Sequence, residues 1–201
     1  MTRSFFLSLV LGAAICQAAD DGFRPLFDGK TLTGWEGDSR LWKVQEGTIV
    51  GSTEGVSLDD NSFLIYRPKE FSNFHLRAKV KLRNHNSGIQ FRSEALPNYV
   101  VRGYQADMAE NNWWGSIYDE KGKRGVMVNG WKDKAEKVVK PNDWNNVEIR
   151  AEGDHIQVYV NGLLTADLKD SAKASGILAL QLHKGPGMQV QFRDIEIKEL
   201  P

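Results

Sequence analysis

Phe74-His75-Leu76-Arg77-Ala78-Lys79-Val80-Lys81-Leu82 alternates apolar and polar residues without a break. A period of two sends the apolar side chains to one face of an extended strand and the polar ones to the other. Ile156, Val158 and Val160 repeat the pattern against His155, Gln157 and Tyr159, and Leu178, Leu180 and Leu182 repeat it against Ile177, Ala179, Gln181 and His183. Asn161-Gly162 follows the second of these runs and supplies the positive φ angles of a two-residue hairpin. Glu46-Gly47, Glu152-Gly153 and Gly185-Pro186-Gly187 mark further turns. No long helical period occurs. Lys132 to Lys140 comes nearest and reads as an exposed charged loop or a short strand. Short strands with regular turns and no helices imply an all-β antiparallel sandwich or barrel. Its core is expected to hold Leu76, Val80, Phe91, Val158, Leu180 and Phe192 together.

Outward from these strands, the N-terminus has another character. Arg3 precedes the apolar stretch Phe5 to Ile15, and Cys16-Gln17-Ala18-Ala19 offers small residues for cleavage. This reads as a signal peptide over residues 1–19 and an exported domain over 20–201. The competing reading is lipid attachment at Cys16, against which Ile15 is bulky. The apolar run is short of the roughly 20 residues of a membrane span. Cleavage would remove the chain's one cysteine, leaving no disulfide and no thiol nucleophile. The remaining roughly 180 residues suit one core rather than two. Lys plus Arg total 26 and Asp plus Glu total 26, a balance that gives no reason to expect nucleic acid or an anionic membrane as partner. A periplasmic or secreted location follows from the leader.

Several motifs then fall in order along the chain. Pro25-Leu26-Phe27-Asp28-Gly29-Lys30, with Leu32, Gly34 and Trp35, precedes Asn86-Ser87-Gly88-Ile89-Gln90-Phe91-Arg92 and Gly103-Tyr104-Gln105-Ala106-Asp107. Trp144-Asn145, Leu180-Gln181-Leu182-His183 and Val190-Gln191-Phe192-Arg193-Asp194-Ile195 complete the set. In order and spacing the chain resembles the 3-keto-disaccharide hydrolase domain family across the whole mature region. The resemblance implies a two-sheet antiparallel β-sandwich of the jelly-roll, concanavalin-A-like type with a concave face. It also implies cleavage of glycosides whose sugar bears a ketone at carbon 3. Many members carry Glu and Gln where this chain has Gln105 and Asp107. The carboxylate is thus displaced by two residues, and the resemblance by itself does not assign the base.

The residues suggest where chemistry could sit. With Tyr104, Ala106 and Met108 turned to the core, Gln105 and Asp107 face outward together, and an amide beside a carboxylate suits sugar hydroxyls. Gln181 and His183 lie opposite the leucines of their strand, and His183 is a natural proton shuttle. Ile89 and Phe91 inward leave Gln90 and Arg92 outward, where a guanidinium could polarise a ketone or pair with Asp107. Trp113, Trp114, Tyr118 and Trp131 fall in the segment from Glu110 to Val138, which reads as irregular; they could stack on sugar rings or cap a sheet end. Glu120 is a candidate acid in a charged loop with Asp119 and Arg124. His85 reads as a turn residue. No G-x-S-x-G elbow, H-E-x-x-H helix or cysteine zinc site is present, and no clear carboxylate pair suggests ordinary glycoside hydrolysis. Elimination beside a ketone needs less: a base, either His183 or Asp107, and a polariser, either Arg92 or a divalent metal of unassigned ligands. Gln105 and Gln181 would orient hydroxyls. The alternatives are a non-catalytic carbohydrate-binding module and a surface interaction protein.

Overall fold

The alternation over residues 74–82 becomes an interior strand of a large sheet. The computed structural model describes residues 21–201, so the expected signal peptide lies outside the described residues. The chain passes through β1 (Arg24–Pro25), β2 (Trp35–Glu36), β3 (Trp42–Gln45), β4 (Thr48–Ser52), β5 (Ser62–Phe71), β6 (Phe74–Arg83) and β7 (Asn86–Ala95). A one-turn 3-10 segment at Pro97–Tyr99 precedes β8 (Val101–Ala109), β9 (Asn112–Glu120) and β10 (Gly125–Val128). After a second short turn at Ala135–Lys137 come β11 (Asn145–Glu152), β12 (His155–Val160), β13 (Leu163–Lys169), β14 (Gly176–Leu182) and β15 (Gln189–Glu199).

Two sheets result. One has the order β13-β12-β11-β6-β15-β4-β3 with β1 added on β15, and the other has the order β10-β9-β8-β7-β14-β5-β2. Every pairing within them is antiparallel. Neither sheet closes on itself, so of the two all-β alternatives the sandwich is the one formed. Asn161 and Gly162, with φ of 49° and 83°, make the β12–β13 hairpin, and Glu46 and Gly47, with φ of 50° and 72°, make the β3–β4 hairpin.

Between the sheets lies one core. Phe74, Leu76, Ala78, Val80 and Leu82 from β6 meet Leu178, Leu180 and Leu182 from β14 in it, with Phe91, Val158 and Phe192 in the same cluster. All six residues expected in the core are there. Burial of alternating apolar side chains is the term that drives this layering. The core-facing residues of β8 are Tyr104, Ala106 and Met108, so Gln105 and Asp107 are left on the sheet's other face.

That outer face of the seven-stranded sheet is divided. Phe63 and Ile65 of β5, Val101 of β8 and Ile177 and Ala179 of β14 form a second buried cluster. The Pro97–Tyr99 turn lies against β5 on that side. The rest of the face stays open. It is also curled, since β9 and β5 are separated by β8, β7 and β14, a flat distance of about 19 Å at the usual strand spacing. Yet Glu120 at the end of β9 accepts a hydrogen bond from Asn61, next to β5, at 3.0 Å. Lys121 also pairs with Asp60 at 2.5 Å.

One expectation needs correction. The segment from Glu110 to Val138 is not uniformly irregular, because it contains β9 and β10. Trp113 and Gly115 have φ of 64° and 72°, which breaks the two-residue alternation and hides the strand from pattern reading.

Truncating Leu180, which is buried in the main cluster, removes methylenes from a packed site. Leu180→Ala is expected to lower the unfolding free energy by about 2–5 kcal/mol in urea titration, with the β-type circular dichroism spectrum retained. A change below about 0.5 kcal/mol, the range of surface substitutions, would contradict this packing.

Candidate active site

The open part of the curled face forms a cleft of about 480 Å³, lined by Asn61, Asn86, Gln105, Asp107, Trp113, Tyr118, Glu120, Gln181, His183 and neighbours from the 121–126 turn. Five elements supply these groups. Cross-strand register sets Gln105 of β8 beside Gln90 of β7 and Tyr118 of β9, and sets Asp107 beside Gly88. All of these positions share the sheet face opposite the core.

Asp107 is nearly sealed, with 6% of its surface exposed. Its Oδ1 accepts from Asn86 Nδ2 at 3.0 Å, Gln105 Nε2 at 3.0 Å and the Met108 backbone N–H at 3.1 Å. Oδ2 has no donor among the described residues. Burial pushes the carboxyl up to about 6, against the three hydrogen bonds, which favour the ionised form. The group can therefore both hold and release a proton near neutral pH.

Gln105 does more than sit beside this carboxylate. Its Nε2 also reaches Gln181 Oε1 on β14 at 3.3 Å, while its Oε1 accepts from Gln90 Nε2 at 2.7 Å. Between β8 and β14 lies β7, and the crossing point is Gly88. A Cβ there would fall 2.4 Å from Gln105 Cδ, so only glycine lets the amide lie across the intervening strand. Gln90 is in turn held by Ser93 Oγ, which donates to Oε1 at 2.7 Å. Gln181 passes the chain onward, donating from Nε2 to Glu120 Oε2 at 3.4 Å.

Glu120 is 5% exposed. Burial raises its pKa; the Asn61 hydrogen bond and the charge of His183 act the other way, and the Asp107 charge adds to the rise. His183 is half-buried at the rim, with Nδ1 against the Lys184 carbonyl. A carbonyl only accepts, so Nδ1 carries a hydrogen and Nε2 has no partner among the described residues. Tyr118 presents a hydroxyl for which no partner occurs among the described residues, and burial raises its pKa, so it stays a donor.

The cleft therefore gathers Asp107, His183, Gln105, Gln181, Tyr118 and Glu120 from the sequence candidates. The other candidates lie elsewhere. Arg92 is not a cleft residue. A bulge between Phe91 and Glu94 breaks the β7 ladder, and Arg92 sits at it with φ of 45°. The irregular backbone takes its side chain off the outer face. Its guanidinium, on a residue 1% exposed, donates to the carbonyls of Ser72 and Gly153 at 2.8 and 2.6 Å, pinning loops at the end of the sandwich. Trp114 is buried in the main core, because the positive φ at Trp113 and Gly115 inverts the local alternation and sends Trp113 to the cleft in its place. Trp131 packs against the core as a half-buried ring. Arg124 bridges Asp119 at 2.9 Å and Asp170 at 2.7 Å, fastening the β9–β10 turn rather than lining the cleft. Gln90 lies beneath Gln105 and supports it.

The sequence did not single out Asn61, Asn86 or Lys121 for the site, and it did not separate Trp113 from Trp114. Asn86 had a signal, since it begins the motif that contains Gly88; Asn61 had none, because its place depends on the sheet's curl. His85, with φ of 59°, occupies the β6–β7 turn and its carbonyl accepts from Glu110 N at 2.7 Å. Among the described residues no three His, Cys, Asp or Glu side chains gather as a metal-binding group.

The sequence profile of the 3-keto-alpha-glucoside-1,2-lyase-like domain matches residues 22–198. A relative from Bacteroides thetaiotaomicron, a 3-keto-disaccharide hydrolase, is 35% identical over 85 residues, which are 38% of this chain and 29% of that protein. Among solved structures, a candidate glycosyl hydrolase from Parabacteroides distasonis superposes with a TM-score of 0.67 at 20% identity, over 90% of this chain and 94% of that one. A carbohydrate-binding module from Bacillus subtilis gives 0.64 at 16% identity, over 83% and 96%. At these identities the two structures establish the shared β-sandwich fold.

The raised Asp107 pKa has a consequence for stability. An aspartate carboxyl ordinarily titrates at 3.8, and this one at about 6 in the fold. Between those values it binds more protons folded than unfolded. Wild-type stability therefore falls as pH rises through that window. Asp107→Asn keeps an acceptor for the same three donors and never ionises. At about pH 8 it is expected to be more stable than wild type by up to about 3 kcal/mol, with the gap closing near pH 4. Parallel stability curves for the two proteins across this range would contradict the burial of an ionised Asp107.

Proposed function

Because this chain belongs to the 3-keto-alpha-glucoside-1,2-lyase-like domain family, we propose that it cleaves glycosides whose sugar ring bears a ketone at carbon 3, on the open face of the seven-stranded sheet. One observation carries the reading: Asp107 lines the cleft and combines near-complete burial, three donors on Oδ1 and an Oδ2 with no donor among the described residues. A base with a pKa of about 6 is ionised at neutral pH and still basic enough to act.

The ketone acidifies the hydrogen on carbon 2. Asp107 Oδ2 takes that proton, and the bonding pair moves into an enolate across carbons 2 and 3. With Arg92 outside the cleft, the Tyr118 hydroxyl is the neutral donor for the enolate oxygen. The pair then returns to form a double bond between carbons 1 and 2 as the glycosidic carbon–oxygen bond breaks. Addition of water to the unsaturated ketone completes a net hydrolysis. In that addition the water oxygen bonds to carbon 1, His183 Nε2 at the rim takes the proton the water loses, and Asp107 returns its proton to carbon 2. Gln105 and Gln181 have most of their capacity committed to each other and to the carboxylates; they hold the acids in place more than they orient hydroxyls.

A second reading, a non-catalytic carbohydrate-binding module, is favoured by the Trp113 and Tyr118 rings and the Asn and Gln amides, all of which line the cleft, since flat aromatic faces and amides are the groups that take up sugar rings and hydroxyls. Product release separates the two. A 3-keto-disaccharide should yield free sugar and a transient enone absorbance, and its unoxidised parent neither. Asp107→Asn should lose about 10²–10⁴ in rate. Binding without release by wild-type protein would decide for the module, and wild-type turnover by Asp107→Asn would remove Asp107 as the base.

Export belongs to the same reading, with residues 1–19 removed and the substrate met outside the cytoplasm. Intact-mass measurement on exported protein should give an N-terminus at Ala19 or Asp20. A lipid adduct on Cys16 would establish an anchored form in its place.

A further inference from the structure

The cleft holds a second carboxyl group that the base step leaves unused. Glu120 is buried, lines the same cavity as Asp107, and comes from the adjacent strand. Its two oxygens are not equivalent. Asn61 Nδ2 donates to Oε1 at 3.0 Å, whereas Oε2 has only the long 3.4 Å contact from Gln181, so Oε2 is the oxygen able to carry a proton toward the cleft. The two acids also share one support. Asp107 Oδ1 meets Gln105 Nε2 at 3.0 Å, Gln105 Nε2 meets Gln181 Oε1 at 3.3 Å, and Gln181 Nε2 meets Glu120. Asn61, which fixes Oε1, also accepts from the Lys184 backbone N–H at 2.9 Å, tying Glu120 to the loop that presents His183. A surface glutamate needs no such frame.

We propose that Glu120 is the catalytic acid that protonates the departing glycosidic oxygen, linked to Asp107 through the Gln105–Gln181 bridge and fixed by Asn61, these three being positioning residues. The inference rests on the elimination reading above. Its chemistry balances: Asp107 gains the carbon-2 proton, the enolate pair becomes the new double bond, and the carbon–oxygen pair leaves with oxygen. That oxygen takes the proton of Glu120. The elimination ends with Asp107 protonated and Glu120 ionised; during the addition of water Asp107 returns its proton to carbon 2, and the proton lost by that water reaches Glu120 through His183 and solvent, which restores both. An alkoxide is a poor leaving group at neutral pH, so a sugar or alkyl aglycone needs this proton, whereas a nitrophenolate does not.

The test compares two 3-keto-glucosides, one with a sugar aglycone and one with a nitrophenyl aglycone. Glu120→Gln is expected to lose about 10²–10⁴ in kcat on the first with KM little changed, and less than about tenfold on the second. It should also lose the basic limb of the pH profile. Asp107→Asn should lose comparably on both. Equal losses by Glu120→Gln on both aglycones, or none on either, would overturn the proposal while leaving the elimination reading intact. Failure of wild-type protein on both substrates would overturn that reading and the Glu120 assignment with it. Should Glu120→Gln fail to fold, Asn61→Ser gives an independent result. Removing a donor that favours ionised Glu120 should move the basic limb to higher pH, and an unmoved limb would count against Glu120 as the acid.

Discussion

A carboxylate can be buried only if donors meet it, and the open face of this sandwich is organised around that requirement. Burying an unpaired polar group costs several times what a satisfied one gains. Asp107, Gln105, Gln181, Gln90 and Glu120 are each nearly sealed from solvent, so each must commit its amide or carboxyl capacity to the next. Among the described residues, the buried side-chain atoms left without a partner are Trp42 Nε1 and Arg193 Nε, and neither lies in the cleft. The network closes because Gly88 has no side chain. With any Cβ at that position the Gln105 amide would be displaced, and Asp107 would lose a donor while Gln181 lost its partner. One absent methyl group thus sets the position of two acids on different strands.

The same burial links stability to reactivity. Three hydrogen bonds hold Asp107 toward ionisation, and desolvation overcomes them. The group ends near 6, where a general base is useful, but an ionised Asp107 then sits in a place that resists charge. Perturbed groups of this kind concentrate where chemistry is done. The arrangement also differs from Arg92, another charged side chain buried in this sheet. Arg92 is surrounded by backbone carbonyls from loops at the sandwich end, lies outside the cleft, and serves packing. Burial of a charge alone does not distinguish a site from a brace; an unfilled oxygen facing a cavity does.

The sandwich and about half of the residues that line the cleft were legible in the sequence, for one physical reason. Where the backbone is regular, period two assigns each side chain to a face. Gln105 and Asp107 were read outward from Tyr104, Ala106 and Met108, and Gln181 from the leucines beside it. The assignments that failed sit at backbone irregularities. Arg92 lies at a bulge, so the parity used for it no longer applied, and Trp113 and Gly115 carry positive φ, so the strand that holds Trp114 showed no parity to read. Asn161-Gly162 announced its turn because glycine and asparagine are the residues that adopt such angles, whereas an arginine at φ of 45° gives no such notice. Asn61 was invisible for another reason. Its contact with Glu120 crosses three intervening strands and exists only because the sheet curls, a property of the whole sheet rather than of any local pattern.

The apolar half of the face bounds the cleft. Phe63, Ile65, Val101, Ile177 and Ala179 would be exposed on a bare sheet, and their burial is favourable in proportion to the area removed from water. With the Leu96 to Val100 connection against β5, this half is closed and water reaches the sheet only on the polar side. Phe63 of β5 pairs directly with Gln181 of β14, so the apolar cluster forms the wall against which the amide bridge rests. The site is therefore bounded on one flank by a hydrophobic seal and on the other by the β9–β10 turn, which Arg124 fastens to Asp119 and Asp170. Between the two, the acids and the phenol keep free capacity toward the cleft: Asp107 Oδ2, the Tyr118 hydroxyl and the outer lone pairs of Glu120. A ligand entering there would meet polar groups that their other hydrogen bonds already hold in position and that keep unfilled capacity toward the cleft, and preorganised groups in a water-poor site act most strongly on charge that develops beside them.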